Sequence, residues 1–569
     1  MRIQLESQKM GEKAVWQGAA LLGGAALLSK LIGTLQKIPL QNMAGDEVFG
    51  LYSAVYALAV MWMTLASAGI PVAVSVLVAE RSANGDEQGA QRVLKWATVL
   101  LGISGLLMFG ILWLGADTFA HWMGLESASS AIRMSSLALL FAPLTAVLRG
   151  YHQGKMQMLR PAISQLTEQV ARVSFMLIAL VWALDSMWSP SATAAAVHGG
   201  LASGAIAGLV AMLWYTGSRR NKPLIIRSTG ARKTFVKHEA SGKSIRIVRI
   251  TETRRALFKR ILTVAIPIAI ASIVAPLFGL IDAFSIPRLL QQEDVEASWS
   301  LAQYGVYNRG VALLQLVIMA AAGAASALVP ALTAARARGD EEAFASRALF
   351  ALRLAWWIGC ASAIGLALLA LPINKALFAD GSGTAAMAII AFAAVGGTLQ
   401  AVSAALLQGM GDLRSPAVNL AAAALLKLTL NAVLVPAYGI NGAAAAMALA
   451  FAAAAVLNAL SLRQRAQLPA PRVSLAWRST AALAAMAAAV ALLTLGLGAL
   501  TTALPTRFAA LLVALLGVVI GAAVFAAALV ALGAVAPQQW RELPGISGSR
   551  IDTWLLRIHS LCHREPKKG

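Results

Sequence analysis

Seven ionisable residues stand inside long apolar stretches of the chain: Lys30, Lys37, Glu168, Arg172, Asp282, Arg309 and Lys427. An ionisable group at membrane depth is costly and is kept where it faces a cavity, water or a partner. Lys30 and Arg309 have no carboxylate three or four residues away on their own helices. Each needs a partner from another helix, water in a cavity, or an anionic ligand. An arginine fork matches carboxylate or phosphate oxygens, and a lysine acts on them as a point charge. Lys37 lies closer to an interface and is a third candidate of the same kind. Glu168 and Arg172 are four apart, the spacing of an intrahelical ion pair, with a cavity role as the alternative. Asp282 falls near an outer helix end, where solvent could satisfy it. Lys427 is mid-stretch, where cavity lining and snorkelling both fit. The predicted substrate-binding set is therefore Lys30, Arg309, Lys37, Asp282, Glu168 and Arg172. Basic groups outnumber acidic ones in it, which points to an anionic cargo and against the carboxylate-lined cavity of a cation-coupled exporter.

Other chemistries find no support. The run Ser241-Gly242-Lys243-Ser244 resembles the end of a phosphate-binding loop, but Lys237 stands where the motif needs its first glycine. The apolar stretches hold no nucleophile elbow, no H-E-x-x-H and no histidine cluster at ligand spacing. Two cysteines, Cys360 and Cys562, exclude a disulfide framework and a cysteine-based metal site. His559, Cys562 and His563 occupy different faces of one short helix. No cofactor, metal or catalytic residue is expected, and the chain reads as non-enzymatic.

The elements that position these charges follow from composition. Of 569 residues, 59% are hydrophobic and 13% charged, and the mean hydropathy is +0.72. A soluble chain is about 45–50% apolar and about 25% charged. This is an all-α polytopic membrane protein. Spanning helices of about 20 apolar residues fit fourteen stretches: 14–38, 50–78, 93–115, 131–149, 161–184, 193–216, 261–284, 303–332, 347–371, 384–408, 415–436, 440–462, 476–499 and 507–533. The first is too long for the apolar region of a signal peptide and has no cleavage site. A net charge of +22 would suggest nucleic acid in a soluble chain, but here it maps onto alternate loops. One set holds Arg81, Arg92, Lys95, Arg149, Lys155 and Arg160, the fourteen Lys and Arg of 217–260, and the basic tail. The other set holds Asp46, Glu47, Asp117, Glu126, Asp185, Glu293, Asp294 and Glu296. By the positive-inside rule both termini are cytoplasmic. The excess charge favours anionic membrane lipids rather than nucleic acid.

An internal repeat divides the chain. QGKMQMLRPA at 153–162 matches QGMGDLRSPA at 408–417, and Gly85-Asp86-Glu87 matches Gly339-Asp340-Glu341 at nearly the same offset. Parallel repeats related by an axis along the membrane normal imply two facing lobes and alternating access between them. The expected organisation is an N-lobe of six spans (1–216), a basic cytoplasmic linker (217–260), and a C-lobe of six spans (261–465). Two extra spans (466–535) and a cytoplasmic amphipathic tail (536–569) follow. In the tail, Ile551, Trp554, Leu555, Ile558 and Cys562 share one helix face, as in an interfacial helix.

Four stretches carry a resemblance: SKLIGTLQKIPL (29–40), GLYSAVYALAVMWMTLASAGIPVAVSVLVAE (50–80), RGYHQGKMQMLRPAISQLTEQVARV (149–173) and YGVYNRGVALLQL (304–316). The sequence resembles the MurJ/YtgP-type lipid II flippases, in the SpoVB-like branch of the multidrug/oligosaccharidyl-lipid/polysaccharide exporter superfamily. The resemblance implies a flippase in the bacterial cytoplasmic (inner) membrane. It would carry lipid II, an undecaprenyl-pyrophosphate-linked glycolipid, through a cationic central cavity, with spans 13 and 14 forming a groove for the polyprenyl tail. It implies that Lys30 and Arg309 are basic cavity residues. Lysines in span 1 where relatives carry arginines, and no basic residue early in span 2, depart from the family pattern. A flippase for an O-antigen, capsule or exopolysaccharide repeat unit, a cation-coupled drug exporter, and a non-transporting envelope scaffold are the alternatives. Drive by a coupling ion or by the membrane potential is compatible with all the transporter readings.

Overall fold

The computed structural model describes residues 18, 21–67, 69–217, 253–291, 296–466, 473–500, 504–541 and 548–562. Most of the basic linker with its Ser241–Ser244 run, the Glu293–Asp294 pair and His563 lie outside the described residues. Among the described residues the chain is helical, with no strand. Among the described residues, twelve helices are long and apolar enough to cross a membrane.

In chain order the helices are α1 (21–35), α2 (Lys37–Ser67), α3 (Ile70–Ala83), α4 (Glu87–Leu114), α5 (Ala116–Met123), α6 (Ser129–Ser136) and α7 (Ala142–Gly154). Then come α8 (Leu159–Asp185), α9 (Pro190–Gly217), α10 (Arg254–Leu290), α11 (Ala297–Ala337), α12 (Glu341–Leu368), α13 (Ala370–Phe378), α14 (Thr384–Ala391) and α15 (Ala393–Gly409). The last five are α16 (Arg414–Ala466), α17 (Val473–Leu500), α18 (Thr506–Ala531), α19 (Pro537–Arg541) and α20 (Arg550–Cys562).

Two of the twelve crossing segments are far longer than one bilayer. Leu21–Ala83 has 63 residues and Arg414–Ala466 has 53, whereas about 20 suffice for one crossing. Each contains a break: Gly45 in α2 at φ 78° and ψ 177°, and Gly439 in α16. The first of these conformations is open essentially to glycine alone. Counted as two crossings each, these segments would bring the total to fourteen. The expected loop at 38–50 is thus helical up to and after a single glycine.

Apolar side chains cover the outside of the bundle. Leu106, Leu107, Ile178 and Val181 are more than half exposed, as expected of surface that faces hydrocarbon.

Helix boundaries repeat at the offset seen in the sequence. Helix α4 starts and ends 254 residues before α12. Helix α7 ends 255 residues before α15, and α8 starts 255 residues before α16. Asp86 and Asp340 each cap their helix by accepting the backbone N–H three residues on, a device that satisfies an otherwise orphaned donor. Helices α17 and α18 pack on α12 and α13, and α20 packs on α18.

The two halves meet tightly where α2 crosses α11. Gly50 and Gly305 lie at this crossing, and a methyl group on either would overlap a backbone carbonyl of the other helix, that of Leu301 or of Asp46. Small residues are what permit such close backbone approach in a membrane.

Candidate functional site

Two cations gather on one aromatic pair in the N-terminal half. Tyr52 and Tyr56 are one turn apart on α2 and stack at 5.7 Å. Arg172, from α8, lies 4.8 Å from the Tyr56 ring centre, and its guanidinium donates to the Tyr52 hydroxyl at 3.4 Å. Lys37 Nζ lies 6.0 Å from the Tyr56 ring. Lys30, one helical turn before Thr34 and seven residues before Lys37, is solvent-exposed. A cation over an aromatic face gains about 0.5–2 kcal/mol, which offsets part of its desolvation but leaves its charge uncompensated. Among the described residues no carboxylate pairs with Lys30, Lys37 or Arg172.

Unused polar groups surround the cluster. Gln36 Nε2 donates to the Tyr52 hydroxyl at 3.1 Å, while its Oε1 is buried without a partner. Gln169 Nε2 and both ring nitrogens of His198 are likewise buried and unpartnered. His198 stacks on Tyr52 at 4.8 Å. Buried polar atoms are normally satisfied. Several orphans beside cations that pair with no carboxylate therefore mark a polar cluster with unused hydrogen-bonding capacity.

The remaining predicted residues are placed differently from the sequence expectation. Glu168 does not pair with Arg172 four residues on. It takes Arg149 of α7 at 2.6 Å, and Ser164 completes that bond network at 2.9 Å from the same nitrogen. Asp282 is not solvated. It is buried against Lys427 of α16 at 2.6 Å, so Lys427 neither snorkels nor lines a cavity.

Arg309 is also corrected. Its guanidinium is fully buried and both edges are occupied by protein carboxylates. Nη1 donates to Asp380 Oδ1 at 2.7 Å and Nη2 to Asp380 Oδ2 at 3.0 Å, while Nε donates to Asp46 Oδ1 at 2.9 Å and Nη2 also to Asp46 Oδ2. Nη1 further donates to Asn374 Oδ1 at 3.3 Å. No face is left for an anionic cargo. Burial raises the Asp380 carboxyl, but hydrogen bonds from Arg309 and from the Ser382 N–H outweigh it and hold the group below the ordinary Asp value.

This arginine joins the two halves. Asp46 belongs to α2, just past the Gly45 break, while Arg309 and Asp380 belong to the C-terminal half. Asn42 reinforces the joint by donating to the Leu377 carbonyl at 2.6 Å and accepting from Arg507 at 2.9 Å. Gln291 adds a bond to the Gly124 carbonyl at 2.7 Å. At the other end, Arg260 of α10 meets Glu80 of α3 at 2.7 Å with both side chains a little under half exposed. An exposed pair contributes about 0–1 kcal/mol, whereas losing one partner of a buried pair costs about 3–5 kcal/mol. The buried ion pair between the halves is thus at the Asp46 end and the exposed one at the other.

A groove of about 260 Å³ runs between α12, α13, α17 and α18, lined by Leu366, Leu369, Ile373, Met486, Val490 and Val518 among others. No group of three or more His, Cys, Asp or Glu able to hold a metal occurs among the described residues.

The structure is a multi-pass bundle with internally repeated helix boundaries, cations stacked on a tyrosine pair and a buried arginine joining its halves. The chain belongs to the polysaccharide biosynthesis protein family, whose model matches residues 15–335. It is 30% identical over 545 residues to the uncharacterized membrane protein YabM of Bacillus subtilis, covering 95% of this chain and 97% of that one. It is 24% identical over 451 residues to the lipid II flippase MurJ of the same organism, covering 76% and 79%. Its fold matches a solved structure of the lipid II flippase MurJ in an inward closed conformation, with a TM-score of 0.63 at 12% identity over 89% of this chain and 97% of that one. The protein is thus a multi-pass membrane protein of the polysaccharide biosynthesis family, with a fold shared by a solved lipid II flippase.

Proposed function

We propose that the chain moves lipid II from the cytoplasmic to the outer leaflet of the bacterial inner membrane by alternating access, without chemistry on the cargo. The charges of Lys37 and Arg172 on Tyr56, without a carboxylate partner, and the exposed Lys30 seven residues before Lys37 carry this reading. These charges and their unused donors suit a pyrophosphate, and His198 and Gln169 offer further polar contacts. The apolar groove beside α17 and α18 suits a prenyl tail. In this reading residues 1–216 and 261–465 are the two lobes and both termini are cytoplasmic. The Arg309 latch is the outer gate. Moving each negative charge outward is favourable by about 2.3 kcal/mol per 100 mV of inside-negative potential.

The test is lipid II externalisation in cells depleted of their own flippase and expressing this chain. The wild type should restore it, and Lys30→Ala and Arg172→Ala should lose it while remaining in the membrane. Full activity in both variants would remove the cluster from the mechanism. The family description favours one second reading, a flippase for a lipid-linked polysaccharide repeat unit. That reading predicts no restoration of lipid II and restored export of the polysaccharide in cells lacking its flippase.

A further inference from the structure

Lys427 and Asp282 form an ion pair that the proposed translocation does not use. They lie on α16 and α10, 145 positions apart. The ammonium is fully buried. It donates to Asp282 Oδ2 at 2.6 Å and to the backbone carbonyl of Phe278 at 3.1 Å, and it lies 5.2 Å from the Phe278 ring. Asp282 also accepts from the Tyr307 hydroxyl at 2.9 Å and from Asn431 Nδ2 at 3.2 Å. The Asn431 amide donates onward to Ser285 Oγ at 2.9 Å. Its Oδ1 is buried with no donor. Turning the amide over would set that oxygen against the Asp282 carboxylate, so the bond network fixes its orientation.

The arrangement is a cation position with the cation built in. A carboxylate, a carbonyl oxygen and an aromatic face enclose one positive charge, and an unused amide oxygen belongs to the same cluster. Oxygen donors of this kind suit hard, weakly polarising cations. The Lys427 ammonium supplies the same unit charge and cannot dissociate.

We infer that Lys427 is a tethered counter-cation occupying a monovalent-cation position between α10 and α16. Asp282 therefore takes up no Na+, and Lys427 is the residue that denies Na+ the site. For its consequence this rests on the transporter reading: reorientation is not coupled to Na+ at Asp282. The binding claim itself needs no cargo, so its failure and the failure of the lipid II reading are separate results.

The experiment measures 22Na+ binding and thermal unfolding of the full-length purified protein in NaCl against choline chloride. Wild type should bind no Na+ saturably and should unfold at the same temperature in both salts. Lys427→Gln should acquire saturable 22Na+ binding and a higher unfolding temperature in Na+. The neutral double variant Asp282→Asn/Lys427→Gln should lose both effects. A folded Lys427→Gln protein with no response to Na+ overturns the inference. Saturable Na+ binding by the wild type that Asp282→Asn removes overturns it as well. Where Lys427→Gln does not fold, Lys427→Met is read in its place, and saturable Na+ binding by the wild type still overturns the inference.

Discussion

The Arg309 latch makes a quantitative prediction about opening of the Asp46 end. Asp46 and Arg309 sit on opposite halves, so their bond must break when this end opens, whereas the bond from Arg309 to Asp380 lies within one half. Asp46→Asn keeps the shape and removes the charge. A hydrogen bond to a charged group is worth about 1.5–3 kcal/mol, so the closed state should weaken relative to the open one by that amount. At about 1.4 kcal/mol per tenfold, the open population should rise roughly 10- to 150-fold. Leu301 reports on this because it is buried at the α2–α11 crossing with its carbonyl against Gly50. In a chain lacking Cys360 and Cys562, a Leu301→Cys reporter should react with an impermeant maleimide about 10- to 150-fold faster when Asp46→Asn is added. Asp380→Asn should give a smaller increase, since that carboxylate is 45% exposed and stays with Arg309. Equal labelling with and without Asp46, or a larger effect from Asp380, would refute the gate assignment.

Three further outcomes follow from the geometry. Gly305→Ala places a methyl against the Asp46 carbonyl, so it should open the same end and raise Leu301→Cys labelling even with the latch intact. Ala379 holds a φ of 67°, which costs a residue with a Cβ about 1–2 kcal/mol. Ala379→Gly should raise stability by about 1 kcal/mol net of glycine's greater entropy loss, read as a higher unfolding temperature. The hydrogen bond from Arg541, with those from Trp540 and the Gly548 N–H, lowers the Asp552 carboxyl from 3.8 to about 2. A depressed carboxyl contributes stability above its unfolded value that is lost as pH falls through the folded one. Helix α20 should thus loosen between about pH 4 and pH 2, reported by Trp540 fluorescence, and Asp552→Asn should reproduce the loosened state at neutral pH.

The fold was legible because hydropathy is local: twenty apolar residues announce a crossing without knowledge of any neighbour. The repeat was legible because its signature, a glycine and aspartate before a helix, is a local capping device. Charge partners were not, because they are distant in sequence. Arg309 meets Asp46 across 263 positions and Lys427 meets Asp282 across 145. Reading Asp46 as a loop charge gave its side of the membrane but hid its role in the latch. Glu168 shows the complementary error. Position i+4 offered it Arg172, but α7 packs Arg149 closer. The tyrosine pair at 52 and 56 had a visible helical spacing, and that was the available signal for a cation platform. His198 carried none, because its position depends on how α9 packs against α2.

The most direct test of the central claim is translocation of fluorescent lipid II in vesicles containing the purified protein, with Lys30→Ala and Arg172→Ala reconstituted in parallel. The account predicts protein-dependent movement of lipid II between leaflets in the wild type and its loss in both variants. No movement by a folded wild-type protein, or undiminished movement in both variants, would contradict it.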